Sequence, residues 1–261
     1  MSGPYEIYAI RYGKAVRKRS ESFLGGDPND GPMPMAYYVW LIRSDTHAVV
    51  VDTGFDPAVA HARGREYIIA PDDALRELGT APEDVRHVIL THLHYDHGGN
   101  HHLFPTATFH IQAAEMAYTT GSWMTHPRLR AGYSAADVKA MIDRLFDDRV
   151  RFHKGRSTVL PGIEVIHMGG HSAGLQSVIV DTARGPVVLA SDAMVFYESL
   201  ETERPFPACF HVGEEMSGYR TLLEIAGTPD AIIPGHDTMV MARFPAAVSN
   251  IAWRVDVAPL A

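Results

Sequence analysis

One stretch carries most of the side chains able to do chemistry: Thr91-His92-Leu93-His94-Tyr95-Asp96-His97-Gly98-Gly99-Asn100, directly after the apolar run Val88-Ile89-Leu90. In extended chain, residues i and i+2 point the same way, so His92 and His94 reach one point beyond the strand end. As the chain turns, Asp96 and His97 are presented to a second point close by. Borderline cations take imidazole nitrogen at about 2.0–2.1 Å and carboxylate oxygen at about 2.0–2.2 Å, and the glycines let the backbone turn tightly around them. His171, Asp192 and His236 each lie just past a predicted strand and fit the same centre. The chain has 15 histidines but a single cysteine, Cys209, so any bound metal takes nitrogen and oxygen ligands.

The elements that must position these residues are mostly short strands. Tyr5–Arg11, Ala36–Ile42 and Ala48–Val51 are rich in β-branched and aromatic residues, are bounded by turn formers, and are spaced for antiparallel pairing. Pro71 opens a short helix through Leu78, and strands Val85–Leu90 and Thr106–Ile111 flank the histidine stretch. Residues 112–148 read as a helical insert, with Ser134 and Asp137 placed as a helix start. The β pattern resumes at Val150 with Thr158–Leu160, Glu164–His167, Ser177–Asp181 and Val187–Ala190. Helix Glu214–Ala226, strand Ala231–Ile233 and a last helical stretch from about Phe244 to Val255 complete the chain. Strands and helices appear twice in similar order with no low-complexity linker, which predicts one α/β domain over residues 1–261, its two sheets face to face and its helices outside.

With these residues in place, the sequence resembles the metallo-β-lactamase-fold hydrolase superfamily, whose H-x-H-x-D-H motif stands as His92, His94, Asp96 and His97. The later ligands match His171, Asp192 and His236, and Asp52-Thr53-Gly54 is similar to the family's D-T-G element. The resemblance spans roughly residues 36–240. It implies a four-layer αββα sandwich holding two divalent metal ions, zinc foremost, with manganese, iron or cobalt acceptable to the same ligands. It also implies that His92, His94 and His171 hold one ion, Asp96, His97 and His236 the other, and that Asp192 bridges them, while Asp52 orients the metal loop. Within the superfamily the sequence is most similar to the N-acyl homoserine lactonases, in the stretch His171–Ser177, the Ser191-Asp192-Ala193 turn followed by Glu198, and Pro234-Gly235-His236-Asp237. The tyrosine that these enzymes carry three residues after the bridging aspartate is Val195 here. Tyr197, two residues on, is the candidate to supply a hydroxyl instead, or else points away.

Two metals about 3.5–4 Å apart share a water, lower its pKa and offer hydroxide as nucleophile. The reaction expected is attack on a lactone carbonyl, with Asp96 passing a proton to the leaving alkoxide. Candidates for the substrate wall are Phe23, Leu24, Met33 and Met35 from the early loop, Trp123 and Met124 from the insert, and Phe196, Tyr197 and Phe206, a set suited to an acyl chain or aromatic ring. His110 reads as a hydrogen-bonded core residue and His126 as a pocket neighbour of Trp123. Another small lactone such as a pyridine-ring lactone, a thioester, and the persulfide dioxygenases of the same fold with their single iron are the competing readings.

With 23 basic and 31 acidic residues the net charge is −8, which argues against a nucleic-acid partner. No window reaches the roughly 20 apolar residues of a membrane span, and the opening segment mixes Glu6, Arg11 and Lys14 among its apolar residues. The expectation is a cytoplasmic protein acting on a small molecule, with the apolar early loop and the insert as the surfaces for a homodimer.

Overall fold

The computed structural model describes residues 4–260. Its first sheet is built from β1 (Glu6–Lys18), β2 (Pro32–Arg43), β3 (Ala48–Val51), β4 (Glu66–Tyr67), β5 (His87–Ile89), β6 (Thr108–Gln112) and β7 (Val150–His153). The second is built from β8 (Arg156–Leu160), β9 (Ile163–His167), β10 (Gln176–Thr182), β11 (Gly185–Ser191) and β12 (Ile232–Pro234). A C-terminal hairpin, β13 (Ala246–Val248) and β14 (Ala252–Arg254), returns to the first sheet. Strand order is β13-β14-β1-β2-β3-β5-β6-β7, with β4 paired to β1, and β12-β11-β10-β9-β8.

The central strands of the first sheet are buried on both faces, and side-chain alternation divides their residues between two cores. Ile7, Ala9, Trp40, Val49 and Val51 face the second sheet and meet Val165, Val178, Val180 and Leu189. Tyr8, Ile10, Val39, Leu41 and Val50 face the other way. That outer face is covered by α2 (Pro71–Glu77), α3 (Ala113–Thr119) and α5 (Ala135–Phe146) through Leu75, Met116 and Met141. The short helix α1 (Pro57–Ala62) packs on this side through Ala60, α4 (Pro127–Arg130) lies within the insert, and α6 (Tyr197–Thr202), α7 (Val212–Ala226) and α8 (Met239–Arg243) pack on the other through Tyr197, Tyr219 and Val240. Tyr219, Leu222 and Ala226 of α7 pack with the second sheet. The layers are therefore αββα, as the resemblance implied.

Pairing follows connection length. β1, β2 and β3 are antiparallel neighbours, whereas the long crossovers, through α1 and α2, through the histidine stretch and through the insert, make β3, β5, β6 and β7 parallel. β1 runs past its expected end at Arg11 because a register shift between Arg11 and Gly13 lets the pairing with β2 continue to Lys18.

The last helix expected, Phe244–Val255, is replaced by the hairpin. Asn250 takes a positive φ of 60° at the turn, and β14 pairs with β1, Ala9 opposite Trp253. Its Trp253 fills the space between the sheets, so burial of that ring and the unpaired edge of β1 outweigh local helical pattern. In the insert, Ser134 caps α5 through Asp137 N (3.4 Å), and the insert breaks into short helices rather than one long one. No helix of the described residues is long and apolar enough to cross a membrane.

Candidate dinuclear metal site

The loops after β3, β5, β9, β11 and β12 converge at one end of the two sheets and carry Asp52, the His92–His97 stretch, His171, Asp192 and His236 respectively. The convergence is held by cross-sheet hydrogen bonds. Gln176 N donates to Thr91 O (2.9 Å), and Ser191 Oγ donates to Thr91 Oγ1 (2.9 Å). Asp52 and Ser191 both take positive φ, 61° and 50°, at strand ends beside the site, a conformation that costs energy outside glycine and gathers at functional positions.

The donor atoms form three overlapping groups, each within 4.8 Å: His92, His94 and His171; Asp96, His97 and His236; and His92, His97 and Asp192. Asp192 stands between the first two. Its Oδ2 lies 3.2 Å from His171 Nε2, and its Oδ1 lies 3.0 Å from His236 Nε2 and 3.4 Å from His97 Nε2. His94 Nδ1 and His171 Nε2 face each other at 2.9 Å. Gly235 backs this aspartate, since a Cβ there would stand 2.7 Å from Asp192 Oδ1.

The rings are oriented from behind. His97 Nδ1 donates to Asp52 Oδ2 (2.7 Å), and Asp52 also accepts from Thr91 N (2.7 Å) and Thr91 Oγ1 (2.9 Å). His236 Nδ1 donates to Ala36 O (2.9 Å). Each of these bonds leaves Nε2 aimed inward, the arrangement that fixes a metal-binding imidazole.

Two divalent cations fit this donor set. His92 Nε2 and His97 Nε2 are buried without a hydrogen-bond partner, a costly state that a cation in each group would relieve. Burial holds the pKa of His92, His94 and His171 down, so these imidazoles present lone pairs. At His97 and His236 burial also works against the charge, but Asp192 and its carboxylate neighbours outweigh it and raise the pKa. Positive charge is favoured there.

Sequence reasoning passed over Glu115. It is fully buried on α3 and joins the two loops of the first histidine group. Its Oε1 accepts from Leu93 N (3.0 Å) and Tyr133 Oη (3.1 Å), and its Oε2 from Ser172 Oγ (2.7 Å) and Gly174 N (3.1 Å). Gly174 is required by this approach, since a Cβ would overlap the Glu115 backbone nitrogen. Nothing in Ala113-Ala114-Glu115-Met116 signals the role, because the partners lie in distant loops.

A cavity of about 240 Å³ opens over the histidine groups, with His94, Asp96, His171, Asp192 and His236 in its wall. Met35 and Phe206 line it, as expected. Other expected wall residues lie elsewhere. Phe23 and Phe196 are fully buried behind Met35 and Phe206 in a small aromatic cluster. Trp123 is 49% exposed and packs on Phe210, while Leu129 of the same insert, rather than Met124, reaches the cavity. His126 is exposed beside Trp123.

Tyr197 faces away. At the start of α6 its backbone nitrogen donates to Asp237 Oδ2 (2.9 Å), and its ring lies in the core under the Arg243 guanidinium, 4.4 Å away. Tyr37 of the first sheet, Tyr95 of the β5 loop and Tyr118 of α3 line the cavity. Tyr37 packs edge-on against His236, ring centroids 5.2 Å apart, and accepts from Tyr95 Oη at 3.4 Å. Burial raises the pKa of both, so they remain proton donors.

This fold, with a histidine-aspartate site at the strand ends, defines a class, and the sequence agrees. Residues 33–236 match the metallo-beta-lactamase superfamily, and the chain belongs to it. Among individual relatives, the N-acyl homoserine lactonase of Bacillus cereus is 27% identical over 248 residues, 89% of this chain and 93% of the relative. An N-acyl homoserine lactone hydrolase solved with its product N-hexanoyl-L-homoserine at the catalytic metal centre has a similar fold, with a TM-score of 0.75 at 22% identity over 92% of this chain and 96% of that one. The dizinc quorum-quenching lactonase AidC gives a TM-score of 0.72 at 16% identity over 97% and 95% of the two chains.

Proposed function

We propose that this protein is a dinuclear metal-dependent hydrolase that opens the ring of an N-acyl homoserine lactone. The observation that carries the reading is the pair of donor groups joined through Asp192 on the wall of the cavity, in a chain aligned with a lactonase over 93% of that enzyme's length. His92, His94 and His171 would hold one cation, and Asp96, His97 and His236 the other, with Asp192 between them. Bound there, zinc or a similar divalent pair supplies a water-derived nucleophile at neutral pH and Lewis-acid stabilisation of the developing alkoxide.

The chain's own residues do the rest. Asp52 and the Ala36 carbonyl hold the His97 and His236 rings with Nε2 inward. Asp96, in the cavity wall, carries the proton to the leaving oxygen. The Tyr37 hydroxyl takes the place at the substrate carbonyl that Val195 leaves empty and that Tyr197, turned into the core, does not reach. The reading places the protein in the cytoplasm as one domain with its 112–148 insert. A homodimer would use the apolar side chains exposed on the early loop and the insert, Leu24, Trp123 and Phe146 among them.

Metal quantification paired with a proton-release assay on a small lactone panel tests the proposal. Two equivalents of metal and acid release on lactone opening are expected. One iron with oxygen uptake, or metal-loaded protein that opens no lactone, would overturn it.

A further inference from the structure

Four arginines, Arg17, Arg63, Arg65 and Arg128, line the cavity. None is in an ion pair among the described residues. The carboxylates that share the cavity are Asp96 and Asp192, which belong to the donor groups, and two divalent cations would outweigh their charge. The arginines are therefore not needed to balance them. In a chain of net charge −8, this concentration of unpaired guanidinium groups over the candidate site stands apart from the composition.

The groups to which these arginines hydrogen-bond, and the rings they stack on, are neutral. Arg63 donates from both terminal nitrogens to Ala131 O (3.2 Å each) and stacks 3.8 Å from the Tyr95 ring. Arg17 donates to Glu21 O (3.1 Å) and lies over Phe206 (5.0 Å), and the exposed Arg128 reaches Pro207 O at 3.4 Å. Arg65 is half-buried, lies 6.0 Å from the centre of the Tyr37 ring and shares the cavity wall with Asp96. It donates through Nε to Tyr95 Oη (3.1 Å), which fixes the plane of the group and leaves both terminal nitrogens for a partner from outside the chain. A fixed planar fork of this kind matches a carboxylate or phosphate, whose oxygens it binds in pairs.

We propose that the natural substrate carries, on the arm attached to the ring to be opened, a carboxylate or phosphate-type anion that docks on Arg65, with Arg17, Arg63 and Arg128 drawing it into the cavity. This rests on the hydrolase reading above and narrows it: the arm is short and anionic rather than a long apolar acyl chain. A cavity of about 240 Å³ suits such an arm, and the burial of Phe23 and Phe196 removes two of the apolar walls a long chain would use.

The test compares kcat/KM of the metal-loaded protein for N-succinyl-, N-(3-phosphonopropanoyl)- and N-pentanoyl-homoserine lactone. At low salt at least one anionic arm is favoured over the neutral one by about tenfold or more, and whichever is better identifies the group. The preference shrinks as sodium chloride rises from about 20 mM to about 0.5 M. Arg65→Gln collapses the ratio, and Arg65→Lys, a point charge without the fork, restores part of it. Equal or better turnover of the neutral lactone by the wild type, or a ratio unchanged in Arg65→Gln, overturns the proposal. If none of the three is opened, the lactone reading fails separately, and calorimetry with glutarate decides the anion site. Binding that weakens in Arg65→Gln sustains it, and equal binding to both proteins sinks it.

Discussion

Asp52 and His97 meet at 2.7 Å with both side chains buried, the carboxylate accepting the Nδ1 proton while Nε2 of the same ring faces the second donor group. The aspartate sits at a positive φ of 61° and is held by two further bonds from Thr91, so its position is fixed before any cation arrives. Removing an outer partner of this kind typically costs 10- to 100-fold in metal affinity, about 1.4–2.7 kcal/mol. Asp52→Ala is expected to weaken one cation site by about that factor while leaving the other tight. A competitive chelator titration resolves the two sites, and equal affinities in variant and wild type would show that Asp52 does not orient the ring.

Loss of a direct donor acts more strongly. His97→Ala and Asp192→Ala should each lower bound metal by at least one equivalent, measured by elemental analysis after gel filtration, and remove most lactone opening. Asp192 contributes to both groups, so its variant is expected to be the poorer binder of the two. Retention of two equivalents with full turnover would contradict the two-cation arrangement.

Glu115 ties the His92–His97 loop to the His171 loop through four accepted hydrogen bonds. Glu115→Ala strands the buried Leu93 and Gly174 N–H groups, and a loss on the order of 3 kcal/mol or more is expected from the urea midpoint. Glu115→Gln keeps the volume but turns one accepting oxygen into a donor, so its loss should be smaller. A wild-type midpoint in Glu115→Ala would show that the loops hold together without it.

The two tyrosines separate cleanly. Tyr37→Phe removes a hydroxyl at the cavity and is expected to lower kcat by about tenfold or more with a smaller effect on KM. Tyr197→Phe removes a buried hydroxyl that has no partner, so turnover should stay within twofold, about 0.4 kcal/mol, of wild type. The opposite pattern in the steady-state constants would return Tyr197 to the site.

Away from the site, His110 Nε2 lies 3.0 Å from His87 Nδ1 and its Nδ1 lies 3.0 Å from His153 Nε2, a row across β5, β6 and β7. Burial, then the neighbouring His153 and His87, push its pKa from 6.5 to about 3. The unfolded chain takes up a proton near pH 6.5 that the folded chain refuses until about pH 3. The stability that neutral His110 supplies is therefore complete above pH 6.5 and is lost as pH falls towards 3, at about 1.4 kcal/mol per pH unit for one proton. His110→Asn should flatten the acid limb of a urea-midpoint profile by about one proton. An unchanged slope would assign the acid limb to other groups.

Much of the site is legible in sequence because its donors obey local geometry. His92 and His94 share a direction through the period of two, Asp96 and His97 follow in the turn, and His171, Asp192 and His236 each follow a strand end. The αββα layering is legible for a related reason: strands buried on both faces read as near-continuous apolar runs, and helices fall between them at crossover spacing. Local pattern fails where a long-range partner outweighs it. Residues from Phe244 to Val255 read as a helix by local pattern, yet the open edge of β1 and the space filled by Trp253 make them a hairpin.

The sequence by itself determined the ligand chemistry, nitrogen and oxygen donors in a chain with one cysteine, and the order in which strands bring those donors to one end. Only the tertiary structure decided what surrounds them. Glu115 is an ordinary helical glutamate until α3 packs between two loops. Tyr197 loses its place at the site because its backbone is drawn to Asp237, and Tyr37 gains one because β2 runs beside the His236 loop. Arg17, Arg63, Arg65 and Arg128 are far apart along the chain and meet only through sheet pairing and the insert, so a protein acidic in composition presents a cationic cavity. Side-chain direction along a strand follows a fixed local period, whereas the company a side chain keeps across the fold depends on contacts that no local window contains.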